Sequence, residues 1–199
     1  MNRRVVVTGT GVITPVGNDV QTYWKNILEG VCGIGVINSI PVDDLPVKIA
    51  GEVKDFNPAD YEIEAPFARK QDKFTVYAVA AAWQAVKESG ISSAEGGNID
   101  PLRFGVYVGS GIGGFTTQMR ETEKILNEGA KWVSPLFIPT MISNIAAGNI
   151  AIRNNACGPC LPVVTACATS THAIGEAFRA IKHGYADAVI AGGSEAAII

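Results

Sequence analysis

Apolar runs of strand length alternate with stretches of helical periodicity along most of this chain, and no other feature constrains its fold as strongly. Phe104 to Val108 and Ala186 to Ala191 are short and largely apolar, as buried strands are. Ahead of the first, apolar residues recur at i, i+3, i+4 and i+7 from Phe74 to Ala85, and Gly90 closes this predicted helix. Because helices cover both faces of a sheet built by such alternation, we predict an α/β fold.

The remaining segments extend this pattern over one domain, residues 1–199, with no repeat or linker that would divide it. Four prolines and scattered acids predict an irregular excursion from Ile37 to Pro66. Further strands are expected at Arg4 to Thr8 and Leu161 to Thr165. Further helices are expected at Asp19 to Glu29 and from a glycine-rich turn to about Asn127. Another is expected from Pro139, with one stripe formed by Met141, Ile145, Gly148 and Ile152. The last is expected at Thr169 to His183, with four residues facing inward: Ile174, Ala177, Phe178 and Ile181.

Composition excludes several classes of function. With 47% apolar residues and a mean hydropathy of +0.20, the chain can bury a sizeable core. Sixteen basic and nineteen acidic residues give a net charge of −3, so no global positive field attracts nucleic acid or an anionic membrane. No apolar run approaches the roughly 20 residues that span a bilayer, and we expect a cytoplasmic protein. Four unevenly spaced cysteines indicate reduced thiols.

A glycine-rich turn matches the spacing of a dinucleotide fingerprint, Gly109-x-Gly111-x-x-Gly114, after a strand and before a helix. Such a fingerprint is followed by a second strand that ends in an acidic residue about 20 residues on. Here a charged helix and a proline-flanked segment follow instead. This context favours a tight turn between crowded backbones.

Two cysteines, in Cys157-Gly158-Pro159-Cys160, have the spacing of a redox pair. A redox cysteine lowers its pKa at the start of a helix that follows a strand. This tetrapeptide follows a predicted helix and precedes a predicted strand, so two incidental thiols are the favoured interpretation. A zinc site is disfavoured because no second cysteine pair or nearby histidine supplies the missing ligands.

Cys167 lies where an apolar strand runs directly into a helix, between the small residues Ala166 and Ala168. A sharp strand-to-helix turn projects a nucleophile out of the sheet, and the free N–H groups of the helix start stabilise a thiolate and a nearby oxyanion. A buried, inert cysteine is about as compatible with this position alone.

The order of several sequence blocks resembles the β-ketoacyl-acyl-carrier-protein synthases, especially the synthase II type. Each block is weak by itself, but their joint order and spacing are specific to that family. The blocks run from Arg4 to Gly17 (RVVVTGTGVITPVG), Gly109 to Gly114 (GSGIGG), Ser134 to Pro139 (SPLFIP), Thr165 to Thr169 (TACAT) and Asp187 to Glu195 (DAVIAGGSE). Thr10 and Ser170 depart from the family pattern, at positions where a larger apolar residue and a glycine are usual.

The resemblance implies a thiolase-like fold of two similar βα halves, each with a five-stranded mixed sheet, of which residues 1–199 would be the first. It implies a decarboxylating Claisen condensation, in which Cys167 takes the acyl group from an acyl thioester on the carrier protein and passes it to the carbanion formed from malonyl-carrier protein. The backbone N–H of Cys167 would form one arm of the oxyanion hole. No cofactor or metal is implied.

The resemblance also assigns substrate and partner residues. Ile112 matches the gate beside the acyl pocket, Ala166 lines that pocket, and Phe137 and Ile138 match residues that reach across a homodimer interface. Three basic residues match or approach the family's surface for the acidic carrier protein, although a solvated charged face is as consistent with their charge: Arg69, Lys70 and Lys131.

The family's two catalytic histidines would lie beyond residue 199. His172 lies five residues after Cys167, about 140° round the helix axis, and cannot easily reach its sulfur. His183 suits a structural role at a helix C-terminus. We therefore expect that the chain alone does not condense acyl groups. A polyketide-type ketosynthase, a thiolase relative and a non-catalytic dimerisation module remain alternatives.

Overall fold

The computed structural model describes residues 3–199, and a parallel pair of strands lies at its centre. Within these residues the strands are β1 (Gly35–Val36), β2 (Ile49–Ala50), β3 (Phe104–Gly109) and β4 (Ala188–Gly193). The α-helices are α1 (Val20–Leu28), α2 (Ala65–Lys70), α3 (Lys73–Ser89), α4 (Phe115–Asn127), α5 (Phe137–Met141), α6 (Ile145–Arg153) and α7 (Thr169–Lys182). Single turns of 3-10 helix occur at Pro58–Tyr61, Pro101–Arg103, Ala130–Trp132 and Ala166–Ala168.

Strands β3 and β4 pair in parallel, from Phe104 opposite Ala188 to Gly109 opposite Gly193. On the other edge of β3, the backbone N–H of Val106 donates to the carbonyl of Pro159 at 2.9 Å, so a third extended segment lies beside it. Because parallel strands end at the same edge, the residues that follow β3 and β4 emerge next to each other. This edge holds the candidate site.

An ion pair joins the starts of the two strands. The Arg103 guanidinium donates to both carboxylate oxygens of Asp187, from Nε at 3.0 Å and from a terminal nitrogen at 2.8 Å. Arg3 donates to the same carboxylate at 2.7 Å. The bonds from Arg103 and Arg3 hold the pKa of Asp187 well below its usual range, so the pair stays charged and supports the register.

Helices pack on both faces of the strand pair, which confirms the predicted α/β class. Alternate residues of β3 face opposite sides of the sheet. Phe104, Val106 and Val108 belong to the core cluster that includes residues of α3 and α6. Tyr107 points the other way, into a second cluster with three small residues of α7, namely Ala173, Ala177 and Ala180.

The five-stranded mixed sheet expected from the resemblance is not formed within residues 3–199. The parallel sheet there has two strands, and β1 and β2 form a separate antiparallel pair, with β1 just before the proline-rich excursion and β2 within it. Two of the predicted strands do not form, and each has a local physical reason.

The predicted strand from Arg4 to Thr8 is wrong for this structure. Strand propensity is realised only where a backbone partner is present, and these residues pair with no strand among those described. Val7 is 80% exposed. The chain instead lies against α3, where a Cβ on Gly9 would come within 2.0 Å of the Ala85 carbonyl oxygen.

The predicted strand from Leu161 to Thr165 is also wrong. Cys160 forms a bridge with Val106 and the N–H of Leu161 donates to the Val106 carbonyl at 3.0 Å. Pro162 has no N–H with which to continue the ladder, so the pairing stops there. The segment then leaves the strand pair and turns toward α7.

The helix predicted from Pro139 is two helices. Pro139 is the third residue of the five-residue α5, and the backbone turns away at Ile142 before α6 begins. The carbonyl of Met141 accepts the N–H of Gly114 at 2.8 Å, so the glycine-rich turn satisfies a group that a continuous helix would use. Ile152, predicted to lie on one stripe with Met141, Ile145 and Gly148, is exposed.

The inward face of α7 was predicted one step out of phase. Ala177 is buried as expected, but Ile174 is 53% exposed and Phe178 is 44% exposed. Small side chains face the strands because α7 lies close to them. The predicted helices at α1, α3, α4 and α7 and the strands at β3 and β4 are otherwise confirmed within two residues at each end. No helix in residues 3–199 has both the length and the apolar content to span a bilayer.

Two isoleucines on α6 provide a matched test of this packing. Ile150 is 1% exposed and Ile152 is 80% exposed. We expect Ile150→Ala to lower the free energy of unfolding by about 2–5 kcal/mol, because the cavity left in the core is not refilled. Ile152→Ala should change it by less than about 0.5 kcal/mol. Denaturant unfolding measures both, and equal losses would contradict the packing described.

Candidate active site

The segment before α7 places Cys167 at an exposed, strained corner. Thr165 has a φ of −142°, and the next residue, Ala166, has a positive φ of +50°. Cys167 is the middle residue of the 3-10 turn Ala166–Ala168. A positive φ costs a non-glycine residue about 1–3 kcal/mol, and such strain concentrates at functional sites. The Cys167 thiol is free and exposed. Within residues 3–199 the sulfur is therefore accessible, and the buried interpretation does not hold there.

Helix α7 starts two residues after Cys167, and no side chain caps its first turn. Among the described residues the backbone N–H of Cys167 has no acceptor either. Unsatisfied amides at a helix start favour negative charge near them. The corner thus combines an accessible thiol with donors suited to a thiolate or an oxyanion.

The end of β3 approaches this corner at backbone distance. A Cβ on Gly109 would lie 1.9 Å from the carbonyl oxygen of Val163 and 2.6 Å from Cγ2 of Thr169, so only glycine fits. A Cβ on Gly111 would lie 3.4 Å from Cα of Ala166. The glycine-rich turn therefore packs directly on the residue that precedes the cysteine.

A carboxylate of the chain itself occupies the amides of this turn. Oε2 of Glu195 accepts the N–H groups of Gly111 and Ile112 at 3.0 and 3.2 Å, and Oε1 accepts the Ser110 hydroxyl at 3.1 Å. Two successive N–H groups on one oxygen form an anion-binding nest. Because Glu195 fills that nest, no phosphate can use it, which supports the tight-turn interpretation over the dinucleotide fingerprint.

Neither histidine is hydrogen-bonded to the sulfur among the described residues. Nδ1 of His172 lies 2.7 Å from the Thr165 hydroxyl, on the corner itself but bonded to another group. The backbone N–H of Thr165 donates to the Thr169 hydroxyl at 2.9 Å, which closes this small network. His183 caps the C-terminal end of α7, where it was predicted to serve a structural role.

The other candidate cysteines show no sign of a redox pair. Cys157 and Cys160 are both free thiols, and they lie between the end of α6 and the bridge to Val106. Partial burial raises the pKa of the Cys160 thiol, the opposite of what redox reactivity requires. Within residues 3–199 no group of three or more His, Cys, Asp and Glu residues is arranged to hold a metal ion.

The predicted substrate residues fall into two groups. Ala166 and Ile112 lie at the corner and on the glycine-rich turn, and the Ile112 side chain is exposed. Phe137 and Ile138 begin α5, whose last carbonyl is bonded to Gly114 of the same turn. Phe137 lines a separate surface cavity, which also contains two of the predicted carrier-binding residues.

That basic cavity, of about 190 Å³, brings together cations from two helices. Arg69 and Lys70 end α2, and Arg120 on α4 joins them. Lys131 lies apart from this lining, with its Nζ 5.3 Å from the centre of the Trp132 ring. Polar and apolar side chains complete the lining: Thr117, Ser134, Leu136, Phe137 and Thr140.

Two buried carboxylates hold the cavity together. Oδ2 of Asp72, next to α2, accepts the backbone N–H and the hydroxyl of Thr117 on α4 at 2.9 and 2.8 Å. Glu121 is fully buried and accepts the backbone N–H of Ser134 at 2.8 Å and the Lys124 ammonium at 2.9 Å. Charge-assisted bonds of this kind fix α2, α4 and the segment before α5 relative to one another.

Sequence reasoning missed Glu195, Arg120 and Glu121. Glu195 stands in a block that was matched to the family, but its partners are 83 to 85 residues away in sequence. Arg120 and Glu121 lie in a charged helix that reads as a solvated face. A hint was present for Glu121, because it has lysine three residues later on the same helix.

Known proteins share the sequence pattern of this chain. Residues 2–199 match the family model described as "Beta-ketoacyl synthase, N-terminal domain". The chain is 46% identical over 197 residues to 3-oxoacyl-(acyl-carrier-protein) synthase 2 of Staphylococcus aureus strain COL, an alignment that covers 99% of this chain and 47% of that protein. The chain thus spans about half the length of the curated relatives it matches.

Solved structures show the same fold. The ishigamide ketosynthase/chain length factor superposes with a TM-score of 0.85 at 26% identity, covering 98% of this chain and 48% of the other. A type II PKS acyl-carrier protein in complex with its ketosynthase bound to the hexaketide matches with a TM-score of 0.79 at 27% identity, covering 96% and 50%. The fold is that of ketosynthases, the thiolase-like class expected from the sequence.

Glu121 gives the free energy of unfolding a predicted dependence on pH. Its hydrogen bonds from Lys124 and Ser134 lower its pKa from 4.5 to about 2. A lowered pKa in the folded state stabilises the fold above the unfolded value, so this contribution should be present above pH 4.5 and lost as pH falls toward 2. In Glu121→Gln, the free energy of unfolding should fall less over that range than in the wild type. Glu123→Gln, which alters an exposed carboxylate on the same helix, is the control.

Proposed function

The chain belongs to the family of β-ketoacyl synthase N-terminal domains, and from that membership we propose that it supplies the acyl-accepting half of a condensing enzyme of fatty-acid elongation. Residues 1–199 would form the first of two similar halves of that enzyme. The single observation that carries the proposal is the exposed Cys167 thiol at a strained corner ahead of α7.

The first step is acyl transfer to Cys167. The thiolate attacks the carbonyl carbon of an acyl thioester, the new C–S bond forms, and the carrier's thiolate leaves and takes up a proton. Negative charge develops on the carbonyl oxygen during the attack. The backbone N–H of Cys167, which has no acceptor among the described residues, is available as one donor to that oxygen.

The second step is condensation with a malonyl thioester. Loss of carbon dioxide leaves an electron pair on the α-carbon, which attacks the carbonyl of the acyl-Cys167 intermediate. The new C–C bond forms as the C–S bond to Cys167 breaks, and the thiolate is regenerated. Because His172 is bonded to Thr165 and His183 caps a helix, the groups that stabilise the malonyl carbanion would come from outside residues 3–199.

The acyl chain would pass the glycine-rich turn. Ile112 lies on that turn and Ala166 immediately precedes Cys167, and both would line the entrance to the acyl pocket. Ile138 is exposed at the start of α5, consistent with a role of Phe137 and Ile138 at an interface between two copies. A homodimer and a cytoplasmic location are parts of this proposal.

The partner that delivers both thioesters would be an acidic acyl-carrier protein. The basic cavity supports this assignment because three cations line it from two helices, and in the described part of the chain only Arg120 is paired, with Glu121 at 3.1 Å. Arg69 and Lys70 make no side-chain ion pair within residues 3–199, so their charge is available to a partner. Lys131, on a neighbouring turn, would extend the same surface. Complementary charge of this kind mainly accelerates encounter and sets orientation.

Sequence identity favours fatty-acid elongation over polyketide synthesis. The match to a 3-oxoacyl-(acyl-carrier-protein) synthase is 46% identical, whereas the solved polyketide-type ketosynthase is 27% identical. An inert dimerisation module is disfavoured, since inert cysteines are commonly buried and this one is exposed.

Acylation tests the role of Cys167 directly. The intact protein, mixed with an acyl-carrier thioester, should gain the mass of one acyl group, and Cys167→Ala should abolish that gain and the condensation. Cys160→Ala, a matched control near the corner in sequence, should keep both because its thiol has a raised pKa. Full acylation of Cys167→Ala would reject the assignment.

Lys70 and Arg69 test the proposed carrier surface. Lys70→Gln and Arg69→Gln should each raise KM for the carrier-bound thioester about three- to tenfold with kcat unchanged, because each removes one charge that no carboxylate of the described residues pairs with. Rates with a small thioester that lacks the carrier should not change. Lys25→Gln, on α1 outside the cavity, is the control. Unchanged KM in both cavity variants would exclude this surface.

A further inference from the structure

The glycine-rich turn is held from two sides. On one side, Gly111 faces Ala166, with 3.4 Å between a Cβ at Gly111 and the Ala166 Cα. On the other side, the same Cβ would lie 3.1 Å from Oε2 of Glu195. The backbone of Gly111 is thus enclosed between the cysteine corner and a carboxylate, and Ile112 is the next residue along.

Glu195 accepts three hydrogen bonds from this turn. Its two oxygens accept from Gly111, Ile112 and the Ser110 hydroxyl, and that hydroxyl accepts in turn from the N–H of Gly113 at 2.8 Å. Four successive residues of the turn therefore depend, directly or through one atom, on a single side chain. Bonds to an ionised acceptor are about twice as strong as neutral ones.

The backbone that carries Glu195 is itself fixed. The N–H of Ser194 donates to the Gly109 carbonyl at 3.0 Å, and the Ser194 hydroxyl donates to the Phe74 carbonyl at 2.7 Å. These bonds tie the residue before Glu195 to β3 and to α3. Glu195 can therefore transmit the position of the strand pair to the turn, because both ends of the connection are anchored.

We propose that Glu195 is a positioning residue, which holds the Ile112 turn against the Cys167 corner and thereby sets which acyl-chain lengths the thiol accepts. This inference rests on the proposed function, since it assumes that the acyl group passes Ile112. Glu195 does not touch the reacting atoms; it acts through the backbone N–H groups of Gly111 and Ile112.

The chemistry of the three bonds distinguishes conservative from disruptive variants. In Glu195→Gln, the amide oxygen still accepts from the two backbone N–H groups and the amide nitrogen donates to the Ser110 hydroxyl. In Glu195→Ala, both N–H groups lose their acceptor. In Glu195→Asp, the charge is kept, but the side chain is shorter. Either the turn moves toward it or one of the three hydrogen bonds is lost.

The test measures chain-length selectivity in the intact protein. The ratio of kcat/KM for palmitoyl to that for hexanoyl thioester should change by about tenfold in Glu195→Ala and stay within about twofold of the wild type in Glu195→Gln. Iodoacetamide alkylation of Cys167 should keep a similar rate in all variants. A role in stability alone would lower both activities equally and leave the ratio unchanged.

Glu52→Gln is the matched control. Glu52 and Glu195 both line a second cavity, separate from the basic cavity and also of about 190 Å³. The Glu52 carboxylate accepts from the backbone N–H groups of Asn38 and Ser39 and makes no bond to the glycine-rich turn. Removing this charge should leave the selectivity ratio unchanged. If Glu52→Gln and Glu195→Ala shift the ratio equally, a general charge effect replaces the proposed one.

The outcomes separate this inference from the proposed function. If the wild type is not acylated at Cys167, both fall. If it is acylated and Glu195→Ala keeps the wild-type ratio, only the positioning role falls. Where Glu195→Ala does not fold, as judged by circular dichroism, Glu195→Asp decides: a changed ratio supports the role, and an unchanged ratio overturns it.

Discussion

The close approach between the end of β3 and the segment before Cys167 is the contact on which the rest of the site depends. The backbone at Gly109 lies so near the Val163 carbonyl that any Cβ would overlap it. The hydrogen bonding beside β3 ends at Pro162, and from there the Gly109 contact holds the segment near the strand. The chain then turns through the strained Ala166 into α7. Without that contact, the thiol would not stand at the edge where β3 and β4 both end.

Parallel pairing explains why distant residues meet at that edge. Gly109 and Gly193 are opposite each other at the last position of the register, so the turn after β3 and the residues after β4 emerge together. Ser194 and Glu195 then bond the β3 end and the turn that follows it. The basic cavity is assembled in a comparable way, with buried Asp72 and Glu121 linking elements that carry the cations.

The fold could be predicted where a local pattern determines it. Periodicity located α3 and α4, and the apolar run at Phe104 located β3. Prediction from sequence failed where a tertiary contact determines the structure. Arg4 to Thr8 has strand propensity but pairs with no described strand. Helix α7 turns alanines rather than Ile174 and Phe178 toward the strands, because it packs closely against them. The start of α7 just after Cys167 could be predicted from its neighbours in sequence, whereas the strand expected before it does not form. Glu195 and Arg120 could not be predicted, since their roles arise from contacts made only after folding.

The glycine-rich turn shows how a fold decides between two meanings of one motif. Its spacing alone is compatible with a phosphate site, because successive N–H groups attract any anion. In this structure the anion is the carboxylate of Glu195, two residues after β4, the strand that pairs with β3. A second anion there would meet like charge at close range and find its donors occupied. The turn is therefore a structural support beside the thiol, and the acyl chemistry belongs to the corner that it supports.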